Sequence, residues 1–226
     1  MRNDLEIQLD RLLRDIIDMG ERTDAMLSQA LEGLRLCDAS VTDHVVAADR
    51  EVDELYEQVQ HGVVTAVALH GPVAGDLRLL TAMLHVSLHV ERVGDYAVGV
   101  ARSVRRACEL PADPTLTGQL VEMGNRARDV TRSALETFVR RDADAARDAA
   151  RLDDDVDRLH VGIFQRLVRL AAGDEAHLEW ATHMIQLARH LERLADHGVD
   201  IAEQTVFMVT GVNVELSSND LPARPA

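Results

Sequence analysis

Aromatic residues make up only 3% of this 226-residue chain, and proline occurs five times. That composition argues against a β-sandwich or barrel, whose strands draw on aromatic and β-branched residues and whose many turns draw on proline. Cysteine is nearly missing as well. Cys37 and Cys108 both fall near expected helix ends and could be neighbours, but a single pair in a chain this long fits reduced thiols better than a disulfide framework. No apolar run approaches the roughly 20 residues needed to cross a bilayer, and the chain is charged from Met1-Arg-Asn-Asp onward. A soluble, cytoplasmic protein without membrane insertion is expected. A basic surplus is also lacking: 39 acidic residues stand against 24 basic ones, for a formal charge of −15. This argues against a nucleic-acid footprint and against anchoring to an anionic membrane, and it favours cations or basic protein surfaces as partners. Lysine is absent altogether, so every basic residue is an arginine. No Gly-rich phosphate loop, nucleophile elbow or His-Glu-x-x-His motif occurs, so no catalytic residue is assigned and the chain is read as a non-enzyme.

What is abundant is helix-forming sequence. Apolar residues make up 46% of the chain, enough for a buried core, and they recur with a 3.6-residue rhythm. Leu5, Leu9, Leu12, Ile16, Met19, Leu27, Ala30 and Leu34 mark a first helix ending near Cys37. A capping box at Ser40-Val-Thr-Asp43 is expected to open a second helix that runs to about His70, where Gly71-Pro72 breaks it. A third runs from about Val73 to Cys108. After Pro111-Ala-Asp-Pro114, with Asp113 as cap, the pattern repeats. Arg22, Ala30, Leu31 and Glu32 recur 104 residues later as Arg126, Ala134, Leu135 and Glu136. The third helix recurs at an offset of 101, so the second hairpin turn, near Gly173-Asp174, should be three residues shorter. The expected fold is all-α: two tandem three-helix bundles related by an internal repeat, over residues 1–110 and 111–212, followed by a loosely ordered tail over 213–226.

Each repeat carries two pairs of carboxylates spaced i, i+4: Asp49/Asp53 and Glu91/Asp95 in the first, Asp153/Asp157 and Glu192/Asp196 in the second. Such spacing stacks two negative charges on one helix face at a cost of roughly 0.2–0.5 kcal/mol. In an antiparallel hairpin, residues equidistant from the turn lie level. The midpoints of the first two pairs, positions 51 and 93, are equidistant from position 72, at the Gly71-Pro72 turn; positions 155 and 194 centre on the Gly173-Asp174 turn. Four oxygen donors at one level suit a hard or borderline metal such as iron, manganese, zinc or magnesium. The competing reading is solvated helix surface, because Glu91 and Asp95 flank the apolar stripe, about 120° round from it, rather than fill it. His89, His190 and His197 lie beside these pairs and could support the carboxylates or be plain polar surface.

The stretch Pro72-Val-Ala-Gly-Asp-Leu-Arg78 followed by His89-Val-Glu-Arg-Val-Gly-Asp95, with His190-Leu-Glu-Arg-Leu-Ala-Asp-His-Gly-Val-Asp-Ile-Ala-Glu203 later, resembles the PhoU family of phosphate-signalling regulators over about residues 4–210. The resemblance implies a cytoplasmic homodimer of tandem three-helix bundles, with metal bound at Glu/Asp-x-x-x-Asp motifs matching Asp49/Asp53, Glu91/Asp95, Asp153/Asp157 and Glu192/Asp196. It implies negative regulation of the phosphate-starvation response and of phosphate uptake. The implied partners are the phosphate ABC transporter, on its cytoplasmic ATPase side, and a sensor histidine kinase. Asp200 stands where that pattern has a neutral amide, and Gly99 is its counterpart in the first half. The alternative is a carboxylate-bridged metal enzyme or iron store on a helical bundle, but those sites use Glu-x-x-His, which this sequence lacks.

Overall fold

The computed structural model describes residues 2–216, and over that range the chain is a tandem repeat of helical hairpins. Helix α1 (Arg2–Leu36) ends on Cys37 at φ 55°, with the Asp38 amide donating to the Gly33 carbonyl at 2.9 Å. That 6→1 bond is a Schellman closure. The second copy ends its first helix identically. Helix α4 (Pro114–Arg140) closes on Arg141 at φ 55°, and the Asp142 amide donates to the Thr137 carbonyl at 3.0 Å. Each partner lies 104 residues from its counterpart, so the repeat extends to the backbone conformation of its turns.

Helix α2 (Val41–His70) turns through Gly71, left-handed at φ 54°, into α3 (Ala74–Ala107). The expected capping box at Ser40 does not form. Ser40 is itself helical and makes no side-chain cap bond: the Asp43 amide its hydroxyl would accept donates to the Ser40 carbonyl at 3.3 Å, and Asp38 Oδ1 takes the Ser40 amide at 2.9 Å. Asp113 does cap α4, accepting the Leu116 amide at 2.9 Å with Pro114 in the first helical position. The second copy departs from the first where α2 would recur. There the helix is broken into α5 (Ala143–Ala150) and α6 (Asp153–Gly173). Around Arg151 and Leu152 the amides of Leu152, Asp154 and Asp155 bond three residues back rather than four. Asp153, Asp154 and Asp155 then supply negative charge to the new helix N-terminus. A short 3₁₀ turn (Glu175–His177) leads into α7 (Leu178–Thr210), closed by Gly211 at φ 76°.

The two halves share one continuous apolar core. α1 lies on α4 and α3 lies on α7. Gly20 and Gly124 are repeat equivalents, and each receives the leucine of the other copy: a Cβ on Gly20 would stand 2.1 Å from Leu135 Cδ2, and one on Gly124 2.3 Å from Leu31 Cδ2. Reciprocal contacts of this kind are what a two-fold axis produces. The halves are therefore arranged about a pseudo-two-fold between α1/α4 and α3/α7. Residues 213–216, expected to be loose, return to the core. Leu216 is buried and its amide donates to Glu203 Oε1 at 2.8 Å. The remainder of the expected tail, 217–226, lies outside the described residues.

Candidate metal centre

On α2 the buried stripe Val45, Val52, Val59 and Val63 faces the core, and on α3 Val90, Val93 and Ala97 do the same. Asp49/Asp53 and Glu91/Asp95 sit at the edges of those stripes, where α2 and α3 meet. Gly94 lets them close up. A Cβ there would be 3.1 Å from Asp49 Oδ1, so the missing side chain is the space the carboxylate uses. Burial, then the charges of Asp53 and Asp95, push the Asp49 carboxyl up to about 6, against the opposing pull of Arg102. Burial and Asp95 likewise raise Asp53, and burial and Asp95 raise Glu91. Glu91 Oε2 is buried without a hydrogen-bond partner; the Arg92 guanidinium stands 3.4 Å away, poorly aligned, while its Nη1 donates to Asp95 Oδ2 at 2.8 Å.

The second repeat builds the same arrangement from α6 and α7. Burial, followed by the charges of Asp157 and Asp196, drives Asp153 up to about 7, and Asp153 Oδ1 is buried with no hydrogen-bond partner. Glu192 is raised by burial and by Asp196; Asp196 is raised by burial although Arg193 opposes it. Arg193 Nη1 donates to Asp196 Oδ2 at 3.2 Å, repeating the Arg92 to Asp95 contact. Asp153, Asp157, Asp196, Asp200 and Glu203 line one cleft of about 320 Å³.

Each repeat thus gathers its four carboxylates into one electrostatic group, with a buried oxygen left unbonded. Crowded carboxylates, with an oxygen left orphaned, have the donor chemistry a hard cation satisfies. In the first repeat the ion would be held by Asp49, Asp53, Glu91 and Asp95, and in the second by Asp153, Asp157, Glu192 and Asp196. Among the described residues neither quartet brings three donor atoms within 4.8 Å of one another, and in each an arginine bonds one member, Arg92 to Asp95 and Arg193 to Asp196. Among the described residues, the ligand-type side chains that bring three donor atoms within 4.8 Å of one another are His89, His197 and Asp200.

That trio spans α3 and α7. Sequence reading placed His89 and His197 beside the carboxylates, but the contact between them depends on how the two halves dock, which no periodicity encodes. His190 does not join them; its ring lies against Gly99 and 5.9 Å from the ring of Tyr96.

Fold and site together define an all-helical tandem-repeat protein with one crowded carboxylate quartet per repeat. The family model of the PhoU domain matches residues 16–104 and again 120–205. The chain belongs to the PhoU family. A phosphate-specific transport system accessory protein PhoU homolog of Deinococcus radiodurans is 33% identical over 211 residues, covering 93% of this chain and 99% of that one. A Xylella fastidiosa (strain Temecula1) protein of the same description is 31% identical over 204 residues, covering 90% and 84%. The crystal structure of PhoU from Pseudomonas aeruginosa superposes with a TM-score of 0.87 at 27% identity, over 92% of this chain and 99% of that one. The phosphate transport system regulatory protein PhoU from Streptococcus pneumoniae, at 23% identity and a TM-score of 0.86, covers 93% of this chain and 99% of its own and shares the fold.

Proposed function

We propose that this chain is an accessory protein of a phosphate-specific transport system, acting in the cytoplasm as a metal-binding negative regulator. It restrains phosphate uptake and starvation-gene expression by contacting the cytoplasmic ATPase side of the phosphate ABC transporter and a sensor histidine kinase. The observation that carries this reading is the repetition of one crowded carboxylate quartet, with its orphaned buried oxygen, in both halves of a chain whose relatives are named as phosphate-transport accessory proteins. Iron, zinc, manganese or magnesium in each cleft would tie α2 to α3 and α6 to α7, supplying positive charge where the chain supplies only oxygen donors. The net charge of −15 favours encounter with basic partner surfaces. No described helix is long and apolar enough to cross a membrane, which fits a protein that meets the transporter from one side. Exposed Val161, Phe164 and Val168 form a stripe on the outer face of α6 that supports self-association as a homodimer.

The test is starvation-gene expression in phosphate-rich medium. A strain lacking this protein and every paralogue should express those genes constitutively, and the wild-type chain should restore repression. Reintroducing E91Q/D95N/E192Q/D196N, with metal content of the purified variant measured in parallel, asks whether the clefts are needed. Normal repression in the deletion strain rules the reading out.

A further inference from the structure

We propose that His89, His197 and Asp200 form a third metal site, set beside the second carboxylate cleft whose wall Asp200 shares and distinguished from it by two imidazole donors, that takes a borderline divalent transition ion such as zinc and clamps α3 to α7. The three donor atoms make a nearly equilateral triangle. His89 Nδ1 to His197 Nδ1 is 3.1 Å, His89 Nδ1 to Asp200 Oδ2 is 3.2 Å, and His197 Nδ1 to Asp200 Oδ2 is 3.1 Å. With zinc bonds of about 2.0–2.1 Å, two ligands lie roughly 3.3 Å apart in a tetrahedron and about 2.9 Å apart as octahedral neighbours. The observed edges fall between those values.

Hydrogen bonding does not account for the triangle. Each Nδ1 carries at most one hydrogen, and a hydrogen aimed along one edge points about 60° away from the other, outside useful geometry. If both imidazoles donate to Asp200, the two N–H groups confront each other across 3.1 Å. If one donates to the other, the acceptor's lone pair can no longer bond the carboxylate. Every neutral arrangement leaves at least one edge unbonded, whereas an ion above the face converts all three contacts into ligand bonds. The surroundings hold the donors in place: the Tyr96 ring stacks on His197 with centroids 5.6 Å apart and planes at 26°. The histidine side chains are 17% and 21% exposed and Asp200 is 40% exposed, which leaves a face open for water as a further ligand.

The molecule contains its own control. Across the pseudo-two-fold, at the 101-residue offset, His190 stands for His89, Tyr96 for His197 and Gly99 for Asp200. The rings in that niche meet in the same way, Tyr96 against His190 at 5.9 Å, and the His190 ring occupies the space a Gly99 Cβ would need, 2.9 Å away. It retains one imidazole and has neither the second nor the carboxylate. Symmetry alone therefore builds the ring packing; the extra donors occur only on the His89 side. Two imidazoles and one carboxylate favour zinc, nickel, cobalt or ferrous iron over magnesium, which the all-oxygen clefts suit better.

The test uses the full chain, stripped of metal by chelation and confirmed helical by circular dichroism. Calorimetric titration with zinc chloride should show one equivalent that survives in E91Q/D95N/E192Q/D196N and is lost, or weakened at least tenfold, in H89Q/H197Q. D200N should weaken the same equivalent. X-ray absorption of the E91Q/D95N/E192Q/D196N chain, in which both carboxylate quartets are disabled, loaded with one equivalent of cobalt should show scattering from two imidazoles. Carboxylate-only coordination in that spectrum, or unchanged zinc stoichiometry and affinity in H89Q/H197Q, overturns the site. Failure of the carboxylate clefts would appear separately, as no difference between wild type and the E91Q/D95N/E192Q/D196N chain.

Discussion

Asp24 and Arg128 are separated by the repeat offset of 104 residues, so they are each other's counterparts, and they pair directly. Arg128 Nε and Nη2 reach the two carboxylate oxygens of Asp24 at 2.8 Å each, between α1 and α4. Equivalent positions meet only at the axis that relates them, so this bidentate pair lies on the pseudo-two-fold. An exact repeat would put like charges there. The sequence has placed opposite charges instead, and the partly buried guanidinium is held in its charged form chiefly by the Asp24 hydrogen bonds.

Removing one partner should cost about 1–3 kcal/mol, since a charge-assisted bidentate bond is lost and a half-buried charge is left alone. Urea unfolding of R128A and D24A should report that loss. Because the two positions are symmetry equivalents, the exchanged chain D24R/R128D should recover most of it. Recovery of less than half would place the pair away from the axis.

The glycine contacts nearby give a second expectation. G124V drives new methyl groups into Leu31, whose Cγ already lies 3.1 Å from the site of a Cβ. Overpacking of this kind costs about 1–3 kcal/mol, and L31A alone costs about 2–5 kcal/mol as a cavity. Combined, they should cost less than their sum, because the valine fills the space the leucine vacates. Strict additivity in urea midpoints would mean that α1 and α4 do not pack there.

The helices, the 104-residue repeat and the level carboxylates were legible because each rests on a local rule: 3.6-residue periodicity, turn chemistry at Gly71-Pro72, and equal distances from a turn. The break at Arg151 and Leu152 was not legible. It falls after an alanine-rich run with no glycine or proline, and only the charge of Asp153 to Asp155 hints at a new helix start. The return of Leu216 to the core was hidden by the polar composition around it. The proximity of His89 to His197 was equally out of reach, because it comes from the docking of one half on the other. Gly20 and Gly124, small residues at equivalent places on α1 and α4, were the available signal for that docking.

The unequal clefts lead to a prediction about pH. Asp153, pushed up to about 7, binds its proton more tightly in the folded chain than in the unfolded one, where its ordinary value is 3.8. Its contribution to stability is therefore complete below about pH 4 and is lost as pH rises through 7. Asp49, at about 6, has largely ionised before that point. The lowered values of half-buried His89 and His190 act in the opposite sense, but only below about 6.5. Between about pH 6.5 and 8 the Asp153 term therefore remains. Metal-free protein in excess chelator should show a falling melting temperature across that window. D153N should flatten the slope and leave the metal-free chain more stable than wild type at pH 8. Added manganese should reverse the wild-type trend, because a cation needs the ionised carboxylate and binds more tightly as the proton leaves. A wild-type slope that survives in D153N would show that the second cleft is not what titrates.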